Sequence, residues 1–379
     1  SADAQRAAKR QIVGDALARI GRGVLPDDVR VSAVDASPYG WRYRRKLTLA
    51  LRRRGDGWIA GLHPYDAPGQ VFPLADCPIT DARVVVAWRA VLAAQRFLPD
   101  DVTALRGAVR LLGHDASGAG SAAGEAVGET AAEGAPDPDA PWVFVLEGAR
   151  RWAAWEPFAH AVRDRSPGFS ALWWAREPAA GQPRAEPRLL VDHRGGEAAH
   201  GAAFVQVNPG VAARLHARVV ARARAHAPAT VVDAYAGAGD TAIPLAADGI
   251  RVTAIELDRA AVAHAAGRLP AGSRAVAGFV ERHLADALPA DVVLVNPPRG
   301  GLHEAVPEIL ERAAGGAFGA SPRALLYVSC NPATLARDLA RLPSWRVAAV
   351  EPFDMFPQTA HVETLVELVP RTPAPEGIA

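Results

Sequence analysis

Apolar residues recur at helical spacing across residues 3 to 20, interspersed with Arg6, Lys9, Arg10 and Arg19, and Gly21 and Gly23 then break the pattern. This spacing predicts an amphipathic helix with a glycine stop. From Trp41 to Phe72 the rhythm shortens to alternation, with Leu47, Leu49 and Leu51 on one side and Gly55 and Pro64 as interruptions, which predicts strands and a hairpin. Further strands are expected at Val109 to Leu112, Trp142 to Leu146, Ala171 to Trp174 and Phe204 to Val207. The texture changes again at Ala229. A β run (Thr230 to Asp233) enters a Gly-rich turn and a helix, a second β run (Arg251 to Ile255) ends on Glu256, and strand and helix alternate from there on. Alternation of this kind predicts an α/β unit, a doubly wound parallel sheet covered by helices, behind an N-terminal α+β unit. A boundary near Gly195 to Gly201 divides the chain into 1–198, 199–370 and a tail, 371–379.

Length and composition fit that division. The chain has 379 residues, half of them hydrophobic, enough for two units that each bury a core. Residues 115–140 are almost entirely Ala, Gly, Ser, Glu, Asp and Pro, too little apolar surface to offset chain entropy, so they are expected to form a disordered surface insertion. The total of 42 basic against 41 acidic residues is uninformative, but residues 1 to 60 hold 13 basic and 6 acidic side chains. That local excess is where a polyanion is expected. The two cysteines, Cys77 and Cys330, cannot build a disulfide framework and suit a reducing, cytoplasmic setting. No apolar run approaches the ~18 residues that span a bilayer, so no membrane association is expected.

The turn Asp233-Ala-Tyr-Ala-Gly-Ala-Gly-Asp240 follows a strand and opens a helix, so Gly237 and Gly239 let a ligand approach the backbone at the sheet's carboxyl edge. Glu256, nineteen residues past Gly237, ends the next strand where a carboxylate can accept bonds from ribose hydroxyls. A dinucleotide site fits these residues as well as an adenosylmethionine site, and a plain tight turn remains a third reading.

Later segments carry more. Asp291 to Val295 is an apolar strand running into Asn296-Pro-Pro-Arg-Gly-Gly301, where two prolines stiffen the exit. Ala324 to Ser329 is a second such strand and delivers Cys330 to the same edge, ahead of Asn331-Pro332. A lone Cys is commonly a small core residue, but the end of a strand in a doubly wound sheet is where ligands bind. The segment Glu351-Pro-Phe-Asp-Met-Phe-Pro-Gln-Thr-Ala-His-Val-Glu363 leads into a last apolar strand, where Glu363 is costly unless paired or used. An exposed edge-strand Glu is the plainer alternative.

In this order and spacing, Asn-Pro-Pro-Arg-Gly-Gly, Ser-Cys-Asn-Pro-Ala-Thr-Leu-Ala-Arg-Asp and Phe-Asp-Met-Phe-Pro-Gln-Thr-Ala-His-Val-Glu-Thr resemble the RNA uracil-5-methyltransferase family, of the RumA and TrmA type. The match is strong over the last third of the chain and weaker through Phe204 to Asn208 and Gly40 to Lys46. The resemblance implies a class I methyltransferase, Rossmann-like fold, S-adenosylmethionine as cofactor, Cys330 as nucleophile and Glu363 as base. It also implies cofactor contacts from Gln206, Tyr235, Gly237, Gly239, Asp240, Glu256 and Asn296. RNA is the implied partner, ribosomal favoured over transfer RNA, with Asn296 and Arg299 on the substrate side. The basic stretch Arg42, Arg44, Arg45 and Lys46, interleaved with Trp41, Tyr43 and Trp58, suits phosphate contacts and base stacking, and a solvated strand face is the plainer alternative. A monomer is expected.

Two positions depart from the family pattern. Asn296 stands where an Asp usually precedes the prolines; one carboxamide offers the donor and acceptor that complement uracil O4 and N3. Phe279 stands where relatives often carry a polar adenine contact. Asp76-Cys77-Pro78 resembles the place of the last cysteine ligand of a 4Fe-4S cluster in many relatives, so Cys77 is either the remnant of a cluster whose Cys-rich N-terminal segment is missing from this chain, or a buried structural thiol. Methylation of cytosine or of an amino group, a dinucleotide oxidoreductase and a non-catalytic RNA-binding protein are the alternative readings. The oxidoreductase leaves Cys330 and Glu363 unexplained.

Overall fold

The computed structural model describes residues 1–64, 66–112, 139–178, 187–193 and 206–371. The expected insertion 115–140 and tail 371–379 lie outside the described residues, apart from 139, 140 and 371. The chain forms two compact units, Ser1–Pro38 with Gly210–Ala379, and Tyr39–Pro209. This corrects the expected boundary of 1–198, because the first 38 residues belong with Gly210–Ala379.

In chain order the elements are α1 (Ala2–Arg19), β1 (Lys46–Arg54), β2 (Gly57–Leu62), β3 (Phe72–Pro73), α2 (Ala82–Ala93), β4 (Ala104–Leu111), β5 (Trp142–Ala149), α3 (Trp155–Arg165), β6 (Phe169–Arg176) and β7 (Arg188–Asp192). There follow α4 (Pro209–Ala225), β8 (Thr230–Ala234), α5 (Ala242–Ala247), β9 (Arg251–Glu256), α6 (Arg259–Ala266), β10 (Arg274–Ala277), α7 (Val280–Ala287), β11 (Val292–Val295), α8 (Ala305–Ala314), β12 (Ala324–Ser329), α9 (Pro332–Leu339), β13 (Trp345–Phe353) and β14 (Glu363–Pro370).

The unit Tyr39–Pro209 is one sheet in the order β3-β2-β1-β4-β5-β6-β7. Its β1 buries Leu47, Leu49 and Leu51 and turns the intervening residues outward, as strand alternation requires. Trp88 of α2 meets Phe144 edge-on at 5.6 Å in the core beneath. Strands predicted at 109–112, 142–146 and 171–174 fall on β4, β5 and β6. Of 204–207, the first two residues lie outside the described set, and Gln206 and Val207 are not in a strand.

The second sheet runs β10-β9-β8-β11-β12-β14-β13, parallel from β10 to β12, with β14 antiparallel to both of its neighbours. Both of its faces are covered. Val232, Val293, Leu325 and Tyr327 pack toward α7, α8 and α9, whereas Val231, Leu294 and Leu326 pack toward α4 and α5. A sheet buried on both faces reads as unbroken apolar runs, which is why β11 and β12 were visible as such. The strand order reverses between β8 and β11, so the turns after these strands open on the crevice where doubly wound sheets bind ligands.

The N-terminal residues join this unit for a physical reason. Val13 and Leu17 of α1 enter its core, Lys9 pairs with Asp354 at 2.5 Å while both are buried, and Ser32 and Asp35 donate backbone bonds to Val350 and Pro352 at the edge of β13. An amphipathic pattern announces that a helix has a buried face but not which sheet covers it.

Candidate active site

Most of the expected residues stand on the carboxyl edge of the parallel sheet. After β8 the chain turns through Tyr235, Ala236 and Gly237, and Tyr235, Gly237 and Gly239 adopt φ of 62°, 55° and 91°. A Cβ on Gly237 would meet nothing within 4 Å, so the turn leaves an open cradle against the backbone. Glu256, ending β9, accepts from the backbone N–H groups of Gly237 and Asp258, each at 2.9 Å, which fixes its carboxylate beside the cradle with lone pairs to spare. Beyond it Leu257 and Phe279, at the ends of β9 and β10, are both exposed, and Arg282 lies over the Phe279 ring at 5.1 Å. An acidic hydroxyl acceptor, a glycine cradle and two apolar side chains fit an adenosine-bearing cofactor. Asp240 is exposed, and its carboxylate stands 3.8 Å from His216 Nδ1.

Asp233, one residue before the end of β8, was not singled out from the sequence. It is buried, accepts from Thr241 Oγ1 at 2.5 Å, and is pushed up to about 7, chiefly by desolvation and then by Asp240 and Glu256. The available signal was a carboxylate inside a buried strand, which needs a partner or a task.

Cys330, Glu363 and Arg299 come together at the other half of the same edge. β14 runs opposite to β12, so it begins where β12 ends: Ser329 pairs with Thr364, and the next step of that register sets Cys330 against Glu363. Glu363 is 3% exposed and is pushed up to about 8 by burial, with Arg299 drawing it back. Burial and then the Glu363 carboxyl raise the Cys330 thiol above its ordinary value, and the Arg299 guanidinium lowers it; the Arg299 carbonyl accepts from Nδ2 of Asn331, the residue after the thiol, at 3.4 Å. Asn331 caps α9 by accepting from Ala333 N–H at 3.1 Å, so the thiol also sits at a helix N-terminus, where a thiolate is favoured. Asn296 extends β11 by donating its N–H to the Ala234 carbonyl at 3.2 Å, and it is an exposed residue whose carboxamide makes no hydrogen bond among the described residues. Tyr235 is pushed up to about 12 by desolvation.

Gln206 and the basic run 42–46 fall in the unit Tyr39–Pro209. Arg42 is already engaged there: it holds both Asp76 oxygens at 2.8 Å and donates to the carbonyls of Cys77 and Thr80. Arg44 donates to Lys46 O, and Arg45 to Leu112 O at 3.4 Å. Lys46 stands opposite Arg110 in the β1–β4 register, and burial together with Arg110, Arg106 and Arg44 lowers its ammonium. Cys77 is half-buried. Among the described residues no three His, Cys, Asp or Glu side chains converge as a metal site, so Cys77 alone does not accommodate a 4Fe-4S cluster. No helix among them is long and apolar enough to cross a membrane.

Comparison with known proteins adds the following. A family model described as tRNA (uracil-5-)-methyltransferase matches residues 279–371. An uncharacterized RNA methyltransferase of Gloeobacter violaceus is 33% identical over 384 residues, covering 96% of this chain and 78% of its own length. The 23S rRNA (uracil(747)-C(5))-methyltransferase RlmC of Shewanella amazonensis is 38% identical over 174 residues, 44% of this chain and 43% of its own length. In fold, the chain resembles the tRNA (uracil-54, C5)-methyltransferase of Pyrococcus abyssi, solved with S-adenosyl-L-homocysteine, at a TM-score of 0.64 and 19% identity over 97% of this chain and 84% of that one.

Proposed function

The chain belongs to the S-adenosylmethionine-dependent RNA uracil-5-methyltransferase family, and from that membership we propose that it methylates C5 of a uracil in ribosomal RNA through a covalent adduct on Cys330. The observation that carries this reading is the pairing of a thiol and a buried, proton-holding carboxyl at facing register positions, with the charge of one guanidinium acting on both. Uracil C5 is a weak nucleophile. Thiolate addition at C6 forms a C–S bond and moves the C5–C6 electron pair onto C5 and O4. The bound cofactor supplies an electrophilic methyl group, and the residues that would hold it are Gly237, Gly239, Glu256 and Tyr235, with Asp233 behind the turn. Glu363 then removes the proton from the methylated C5, and the returning electron pair expels the Cys330 thiolate. A carboxylate raised toward 8 is a stronger base than an exposed one, which is the use its burial has.

Asn296 supports uracil as the base, because its free carboxamide can present a donor and an acceptor together, whereas it has no proton to give to cytosine N3. The 13 basic against 6 acidic side chains of residues 1 to 60 support a polyanionic substrate. Ribosomal RNA is preferred because relatives that match 44% of this chain at 37–38% identity are named for it. The test is Cys330→Ala: methylation of ribosomal RNA should fall to the detection limit while adenosylmethionine binding stays within a few-fold of the parent. Retained methylation would overturn the adduct, and methyluracil found only in transfer RNA would overturn the substrate.

A further inference from the structure

The helix that follows the nucleophile holds the loop that carries Arg299, residue by residue. The Arg299 carbonyl accepts from Asn331 Nδ2 at 3.4 Å and from Thr334 Oγ1 at 3.3 Å. Arg337 Nη2 donates to the Gly300 carbonyl at 2.8 Å, and the Leu302 N–H donates to Asp338 Oδ2 at 2.7 Å. Asp338 is fully buried. Its Oδ2 also accepts from Tyr327 Oη at 2.9 Å, and its Oδ1 accepts from Arg337 Nε and Nη2 at 3.0 and 2.8 Å. Gly301 lies directly on this carboxylate: its φ is +83°, and a Cβ there would collide with Asp338 Oδ2 and the Arg337 guanidinium.

A buried carboxylate is retained at a cost in desolvation unless its bonds are needed. Two of them serve one loop: Oδ2 holds the Leu302 N–H, and Oδ1 holds the Arg337 guanidinium that in turn donates to Gly300, in the loop whose Arg299 charge acts on the thiol. The exposed Arg299 guanidinium makes no ion pair or side-chain hydrogen bond with a carboxylate among the described residues, so its direction is set by where its backbone is anchored. We infer that Asp338 is a positioning residue for the nucleophile: by fixing Gly301 and Leu302 against α9, it keeps the Arg299 charge acting on Cys330. The inference rests on Cys330 being the nucleophile proposed above.

The sign of the effect separates positioning from bulk electrostatics. The charged groups that act on Cys330 are Glu363 from β14 and Arg299 from the 299–302 loop. Removing a carboxylate from the neighbourhood lowers a thiol pKa by Coulomb's law, whereas losing the Arg299 charge raises it. The experiment is iodoacetamide alkylation of the full chain across pH, with Cys330 and Cys77 resolved by peptide mass spectrometry. Asp338→Asn should move the Cys330 midpoint up by about one pH unit and slow methylation at neutral pH about tenfold, with little change in KM for RNA and Cys77 unmoved. Gly301→Ala, which disturbs the same contact from the loop side, should do the same. Arg299→Gln should give an equal shift that does not add to that of Asp338→Asn. Should a buried substitution prevent folding, Arg337→Gln, at a position 47% exposed, releases Gly300 and must shift the midpoint in the same direction. A midpoint that is unchanged or lowered in the folded variants overturns the inference. Because alkylation reads the thiol and not the reaction, methylation retained by Cys330→Ala would remove the nucleophile reading and leave this measurement standing.

Discussion

Two carboxyl groups are buried on the same sheet edge, Asp233 in the cofactor half and Glu363 in the reaction half, and desolvation raises both, to about 7 and about 8. Their partners differ. Asp233 takes the Thr241 hydroxyl at 2.5 Å and belongs to the turn that it stiffens. Glu363 accepts no hydrogen bond among the described residues and has only the Arg299 charge to lower it, while it raises the neighbouring thiol. Equal burial therefore has two outcomes: a carboxyl supplied with local donors shapes backbone, and one left without them is available to move a proton.

The comparison is broken most directly by substitution. Glu363→Gln should lower kcat by about 10²–10⁴-fold with adenosylmethionine affinity within a few-fold of the parent, whereas Asp233→Asn should weaken adenosylmethionine binding and keep most of kcat at saturation. Isothermal titration and single-turnover methylation read the two quantities, and a reversed pattern would exchange the roles assigned to them.

A second measurement sharpens it by pH. On the proposed mechanism Glu363 acts as carboxylate and Cys330 as thiolate, and both groups sit above their ordinary values, so the rate should climb with pH through about 8 as Glu363 ionises and keep climbing beyond it as the thiol does. That rise should persist in Asp233→Asn. Stability should run the other way. Both acids keep their protons in the folded state after the unfolded chain has lost them, so the fold binds more protons between about pH 4 and pH 8 and loses stability as pH rises across that window. Calorimetry at pH 5 and pH 8 should show a smaller drop in Tm for either Asp233→Asn or Glu363→Gln.

The smallest expected effect is that of Thr241→Val, which removes the donor to Asp233. A loss of about 1–3 kcal/mol in unfolding free energy is expected, with kcat at saturating cofactor unchanged. A fall in kcat would tie the turn to the chemistry and erase the distinction between the two halves.

The alternation of Leu47, Leu49 and Leu51, the apolar runs of β11 and β12 and the glycine turn with Glu256 nineteen residues on were all legible before any coordinates, because they report local periodicity and backbone conformation. Cys330 and Glu363 were legible from the motifs in which they stand. Arg42 illustrates the opposite case. Its run of basic neighbours suggests an RNA contact, yet in the fold it clamps Asp76 and the carbonyls of Cys77 and Thr80, a partnership across more than thirty residues that composition cannot reveal.

By itself, the amino-acid sequence determined the α/β class and the sheet edge to which Cys330 is delivered, since both follow from spacing along the chain, whereas the roles expected of Cys330 and Glu363 came from the resemblance of their motifs. Only the tertiary structure decided that α1 belongs with Gly210–Ala379, that Asp233 and Glu363 hold protons near neutrality, and that Asp338 underlies the Arg299 loop. These depend on desolvation and on hydrogen bonds between residues distant in sequence, and both arise only when the sheet has closed over them.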